Sequence, residues 1–282
     1  MSQFVVAACQ MDSKDDKQDN LDRALSFVDE AARAGADLVA FPEMVTYMGD
    51  RGRYPEVAEP ADGPTVKQFA ERADKHGIYV HTGSFFEQIP GSERVYNTSA
   101  VIGPDGDALD YYRKVHLFDI ELEGSVEQRE SDYVAPGNDV VTVDTELATL
   151  GLSICYDLRF PQQYQTMAQR GANVLLVPSA FTMYTGKDHW KALLRARAIE
   201  NQAYVVAPAQ IGTKPASEPT YGRTVIVDPW GNVVAKAKDR EEIATSTIDL
   251  DYLDDIRRDM QTLQHARPDV YKNEYENEPS GR

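Results

Sequence analysis

Short apolar runs separated by amphipathic stretches set the character of the first half of the chain. Residues 4–10 are apolar without the alternation of a half-exposed strand, which predicts a buried one. Leu21, Ala24, Leu25, Val28 and Ala32 then recur at helical spacing, with Asp19 or Asn20 as the N-cap and Gly35 as the stop. A second buried strand over 36–41 runs into Pro42-Glu43. A helix over 64–76 ends at Gly77 and leads into a strand over 78–86. This βαβαβ opening predicts an α/β sheet with both faces covered.

The middle of the chain changes pattern. Residues 95–102, the turn Gly-Pro-Asp-Gly (103–106) and residues 108–112 read as a hairpin. A similar unit recurs at 223–227, Asp-Pro-Trp-Gly (228–231) and 233–237, so two sheets related by approximate internal symmetry are expected. Between them, 147–154, a helix over 161–170 and 173–178 repeat strand–helix–strand, extended by a helix over 188–201 and a strand over 203–208. Residues 121–138 are polar and aperiodic and read as a long loop, a common place for function. No linker-like stretch interrupts the pattern. One domain over 1–258 is expected, with a tail over 259–282 that docks on the body or on a partner subunit.

Composition narrows the setting. The chain has 282 residues, enough to bury a core without disulfides or metals. No run approaches the roughly 18 apolar residues of a membrane span, and no secretory leader pattern opens the chain, so a cytoplasmic protein is expected. The net charge is −17, with 11 Lys and 18 Arg against 46 acidic residues. That balance opposes nucleic-acid or anionic-membrane partners. Dispersed acids and few lysines suggest a high-salt, halophilic host, where screening relieves self-repulsion; an acidic mesophilic enzyme is the alternative.

Three residues carry candidate chemistry. Cys155 ends the run 147–154 ahead of a turn and a helix near Pro161, where backbone dipoles favour a thiolate. Taken alone, such a cysteine is more often plain packing, which is the reading for Cys9. Glu43 ends an apolar strand behind Pro42, and Lys114 follows the strand at 108–112; α/β proteins build sites at such strand ends. No Cys/His protease signature, metal-ligand spacing or phosphate-binding glycine motif is present.

The segments Val-Ala-Phe-Pro-Glu-Met (39–44), Tyr-Arg-Lys-Val-His-Leu-Phe (112–118) and Gly-Leu-Ser-Ile-Cys-Tyr-Asp-Leu-Arg-Phe-Pro (151–161) resemble, in order, the three signatures of the nitrilase superfamily. Pro-Ser-Ala-Phe (178–181), His-Trp (189–190), 195–202 and Val-Asp-Pro-Trp-Gly (227–231) extend the likeness over nearly the whole chain. The resemblance implies a four-layer αββα sandwich, commonly paired into a homodimer. It implies Cys155 as nucleophile, Glu43 as general base and Lys114 as oxyanion stabiliser, with the Tyr156 N–H as a second donor. A fourth catalytic residue, a loop glutamate, matches Glu130 within 128–131, although Glu121, Glu123 and Glu127 share that loop. No metal or organic cofactor is implied.

The motif after Cys155 is similar to the branch of omega-amidases and deaminated-glutathione amidases, as are Asp-Pro-Trp-Gly and residues 264–271; Gln162 departs from it, where that branch often has Glu. The activity implied is hydrolysis of a small, carboxylate-bearing amide to acid and ammonia through a cysteine thioester. Nitrilase or N-carbamoyl amidase activity, and a catalytically silent scaffold, are the alternatives. Arg159 is a candidate for a substrate carboxylate or for a structural ion pair. Tyr47, Tyr156, Phe181, Thr182 and Tyr184 are candidate pocket walls.

Overall fold

Alternation along the central strands builds the two inner layers. The structure, a computed structural model, describes residues 2–122, 126–267 and 269–270. One sheet runs in the order Glu242–Asp249, Gln3–Gln10, Leu38–Ala40, Tyr79–His81, Val95–Ile102, Phe85–Gln88, with Ala108–Arg113 also paired to Val95–Ile102. The other runs Val233–Lys236, Val225–Val227, Tyr204–Ala207, Val174–Leu176, Thr149–Leu152, Thr142–Asp144. Each has a core of three parallel strands followed by an antiparallel hairpin, so the two turn-flanked units seen in the sequence occupy matching places.

Val6, Ala8, Leu38 and Ala40 point inward and share one apolar cluster with Leu150, Leu152, Val174 and Leu176 of the second sheet. Their neighbours Ala7, Cys9, Val39 and Val80 point outward, under the helices Lys17–Arg33 and Pro64–His76. In the second sheet a Cβ on Gly151 would meet Met167, so that face is covered by the helix Pro161–Gln169. The result is the αββα sandwich expected. Cys9 is fully buried in the outer cluster as a small apolar residue, and neither cysteine forms a disulfide.

Local chemistry explains several boundaries. Pro64 opens the second helix at its first turn, and Gly77 closes it with a left-handed φ of 65°. The first helix starts earlier than expected: Asp16 is its cap and accepts from the Asp19 N–H. Asn20 instead lies inside the helix, buried, donating to the carbonyls of Lys14 and Thr46. The single strand expected over 78–86 is two, Tyr79–His81 and Phe85–Gln88, because the chain turns sharply at Gly83. Gly83 has φ 69°, and a Cβ there would lie 2.1 Å from the Pro42 carbonyl oxygen.

Other expectations need correction. The stretch over 121–138 is not wholly irregular: Asp119–Leu122 pairs with Val126–Arg129, and a 3-10 turn covers Glu130–Asp132. The helix expected from 188 begins at Met183, passes through a π-turn at Gly186–Trp190 and continues as Lys191–Asn201. Glu242–Asp249, unrecognised in the sequence, pairs antiparallel with Gln3–Gln10 along its whole length. In the tail, Thr262–His265 forms one exposed turn; residues 268 and 271–282 lie outside the described residues.

Candidate active site

Three strand ends and one loop bring four side chains together. Glu43 follows Leu38–Ala40 and is 1% exposed. Its Oε1 accepts from the Lys114 ammonium at 2.8 Å and from Asn97 Nδ2 at 3.1 Å. Its Oε2 accepts from the Ala180 N–H at 2.9 Å, and its backbone carbonyl accepts from Gln210 Nε2 at 3.0 Å. Lys114 follows Ala108–Arg113 and is 2% exposed. Its backbone N–H donates to the Asn97 carbonyl, which fixes where the side chain starts.

Glu130 opens the 3-10 turn after the small hairpin. Its carboxylate accepts from Lys114 Nζ at 3.0 and 2.9 Å and from the Phe118 N–H at 2.6 Å. Of the loop glutamates, Glu130 is thus placed against the lysine, whereas Glu123 lies outside the described residues. Cys155 begins a 3-10 turn, Cys155–Arg159, with φ 51°, and its N–H donates to the Pro178 carbonyl at 2.9 Å. A non-glycine residue in the left-handed region marks strain that the surrounding bonds must hold. The Cys155 thiol lies within electrostatic reach of Glu43 and of the Ala180 N–H.

The electrostatics of the cluster follow from burial and charge. Burial alone would lower the Lys114 pKa, but Glu130 and Glu43 together outweigh it and raise the group well above the ordinary lysine range. Burial raises Glu130, Glu43 adds to the rise, and Lys114 only partly offsets it. Burial and then the Glu43 charge push the Cys155 thiol well up. Burial and the neighbouring carboxylate thus oppose the thiolate that a helix dipole would favour at this short turn. Together they favour a protonated thiol beside Glu43.

These four side chains line a cavity enclosing about 890 Å³ of empty space, its open mouth included. Tyr156, Arg159, Phe181 and Thr182 line it. Arg159 makes no ion pair among the described residues; it donates to His189 Nδ1 at 3.2 Å and lies over the rings of Tyr156 and Phe181. Tyr47 and Tyr184 are not wall residues. Tyr47 is 1% exposed behind Gly49, edge-on to Tyr54, and Tyr184 is 56% exposed on the outer surface beside Lys187.

Several contributors were not singled out from sequence. Arg51, on a 3-10 turn capped by Asp50, lines the cavity and makes no ion pair among the described residues. Ser217, Glu218 and Thr220 reach it from the hairpin Ile211–Lys214/Ser217–Tyr221. Asn97 had a visible signal, a polar residue inside the buried strand Val95–Ile102. Among the described residues there is no group of three or more potential metal ligands, and no helix long and apolar enough to cross a membrane.

Comparison with known proteins places this arrangement. Residues 5–258 match the family model described as carbon-nitrogen hydrolase. The chain is 41% identical over 271 residues to omega-amidase NIT2 of Mus musculus, covering 96% of this chain and 98% of that protein. It is 39% identical over 275 residues to the deaminated glutathione amidase of Mus musculus, covering 95% and 84% respectively. The NitFhit protein of C. elegans superposes with a TM-score of 0.90 at 37% identity, over 96% of this chain and 66% of that one. Nit3 of Saccharomyces cerevisiae, described as a member of the nitrilase superfamily, gives 0.83 at 32% identity, over 92% and 94%.

Proposed function

We propose, from the premise that this chain belongs to the carbon-nitrogen hydrolase family, that it cleaves the C–N bond of a small linear amide bearing a carboxylate. The observation that carries the reading is Glu43, which accepts from the buried Lys114 ammonium at 2.8 Å, acts electrostatically on the Cys155 thiol and lines one cavity with both.

As the Cys155 sulfur attacks the amide carbon, its proton passes to Glu43 and a C–S bond forms. The carbonyl oxygen becomes an oxyanion, stabilised by Lys114 and the Tyr156 N–H. Glu130 accepts from Lys114 with both oxygens at nearly equal distance, as one bifurcated bond would, which leaves an ammonium hydrogen for the oxyanion. Collapse breaks the C–N bond while Glu43 returns the proton to nitrogen, and ammonia leaves. Water then gives a proton to Glu43 and attacks the thioester; the C–S bond breaks, and the proton returns to sulfur.

Arg159 and Arg51 supply positive charge on the wall, and neither makes an ion pair among the described residues. A substrate carboxylate is the matching group, and the names omega-amidase and deaminated glutathione amidase carried by the relatives agree with it. Ammonia release from the ω-amide of a 2-oxo dicarboxylic acid, from a nitrile and from an N-carbamoyl amino acid separates the alternatives. Turnover of the amide is expected; turnover of the nitrile or carbamoyl compound alone would refute the amidase reading. No turnover of any, with no acyl adduct, would favour a silent scaffold.

We further assign the protein to a homodimer in a high-salt cytoplasm. Ile199 and Trp230 are exposed, and Gly231 packs against Ile199, so the outer helix and the Asp-Pro-Trp-Gly turn form one apolar surface. Sedimentation across a salt series tests both points: a monomer at all concentrations, or full stability in dilute buffer, would count against them.

A further inference from the structure

Two segments meet at the reaction centre, one carrying Lys114 and one carrying Cys155, and a single buried carboxylate lies between them. Asp157 is 0% exposed. Its Oδ2 accepts from the Tyr112 hydroxyl at 2.6 Å and from the Ile154 N–H at 2.8 Å. Its Oδ1 accepts from the His116 N–H at 2.9 Å and from His116 Nδ1 at 2.8 Å. Tyr112 and His116 flank Lys114 two residues to either side, and Ile154 immediately precedes Cys155. The His116 ring is held flat on Phe160, with centroids 3.6 Å apart and planes 7° apart.

We propose that Asp157 is a positioning residue that clips the Lys114 segment to the Cys155 turn and so sets the oxyanion donor relative to the nucleophile. The proposal rests on the reaction assigned above. Among the described residues no Lys or Arg pairs with Asp157, so its burial is offset by hydrogen bonds. Three of the four groups facing it are donors, and His116 Nδ1 donates in the tautomer that carries its proton there. An ionised carboxylate accepts from all four, whereas the amide of Asn turns an NH2 toward two of them. The clip also bears on strain. The turn that gives Cys155 its φ of 51° is pinned by the Ile154 N–H on Asp157 and by the Cys155 N–H on the Pro178 carbonyl. Releasing one pin lets both the sulfur and the lysine segment drift.

The test is Asp157→Asn, with kcat, KM and the rate of Cys155 alkylation by iodoacetamide measured per folded molecule. A displacement of about 1 Å in such a site costs roughly 100-fold. We expect kcat to fall about that much with KM changed less than about threefold, and alkylation to change with kcat rather than with thermal stability. Tyr112→Phe removes one donor and keeps the carboxylate; a smaller fall in kcat, about threefold to tenfold, is expected. The double variant should be no worse than Asp157→Asn, since both act through one group. A folded Asp157→Asn enzyme with wild-type kcat and alkylation overturns the proposal. If that variant does not fold, unchanged kcat in Tyr112→Phe overturns it. A Cys155→Ala control separates the two levels: activity there sinks the assigned reaction and the clip with it, whereas a dead Cys155→Ala beside a fully active Asp157→Asn sinks the clip alone.

Discussion

Replacing Lys114 by Met keeps most of the side-chain volume and removes the ammonium that bridges Glu43 and Glu130. In the native site that ammonium lies 2.8 Å from Glu43 and 2.9 Å from Glu130, at 2% exposure. Two consequences follow with different magnitudes. Losing one oxyanion donor costs about 100- to 1,000-fold in kcat, equivalent to about 2.7–4 kcal/mol of barrier. Stranding two buried carboxylates costs stability, about 3–5 kcal/mol for a broken buried pair.

The second cost depends on pH, and its sign is fixed by Glu130. Burial, with Glu43 beside it, already holds that carboxyl above its ordinary 4.5, and removing Lys114 removes the lowering influence. A carboxyl raised on folding binds more protons in the folded state, so stability is greatest below about 4.5 and falls as pH rises through the folded value. The melting deficit of Lys114→Met against wild type should therefore be smaller at pH 5 than at pH 8. Ammonia release at saturating amide and calorimetry at both pH values read the two effects separately. A folded variant retaining kcat within about tenfold, or one with equal melting deficits at both pH values, would refute the reasoning.

Three further outcomes are expected. Arg159→Met should lower kcat/KM for a carboxylate-bearing amide by about 10- to 150-fold, the value of a charged hydrogen bond, and leave a neutral amide of similar length nearly unchanged; equal losses on both would assign Arg159 to packing with Phe181 and Tyr156. Gly83→Ala should cost about 2–5 kcal/mol in denaturant unfolding and disturb Glu43, since its Cβ would meet the Pro42 carbonyl oxygen at 2.1 Å and its φ is 69°. Alkylation of Cys155 in the free enzyme should be slow at pH 7 and still rising at pH 9, because burial and Glu43 hold the thiol up; a plateau below pH 8 would contradict that assignment.

The site was legible in the sequence where a reactive side chain interrupts an apolar strand. Glu43 and Cys155 each follow a buried parallel strand, Lys114 follows the antiparallel strand Ala108–Arg113, and the fold brings the three strand ends together. The helix Pro64–His76 was equally legible, because its proline start and glycine stop are local chemistry. What stayed hidden depends on contacts between distant segments. Glu242–Asp249 mixes buried and exposed positions without clean alternation, and only pairing with Gln3–Gln10 makes it a strand. Tyr47 and Tyr184 have the chemistry of pocket walls, but one is packed behind Gly49 and the other faces outward, which no spacing rule encodes. Arg51 reaches the cavity from a 3-10 turn capped by Asp50, and Glu218 reaches it from the strand Ser217–Tyr221, whose direction is set by pairing with Ile211–Lys214.

The central claim is covalent chemistry at one sulfur atom, and intact-mass spectrometry of the enzyme quenched during turnover of a 2-oxo-acid ω-amide addresses it most directly. The account requires a transient gain equal to the product acid less one water, located on Cys155 and lost in Cys155→Ala together with all turnover. Continued ammonia release from Cys155→Ala, or an acyl group on any other residue, would contradict it.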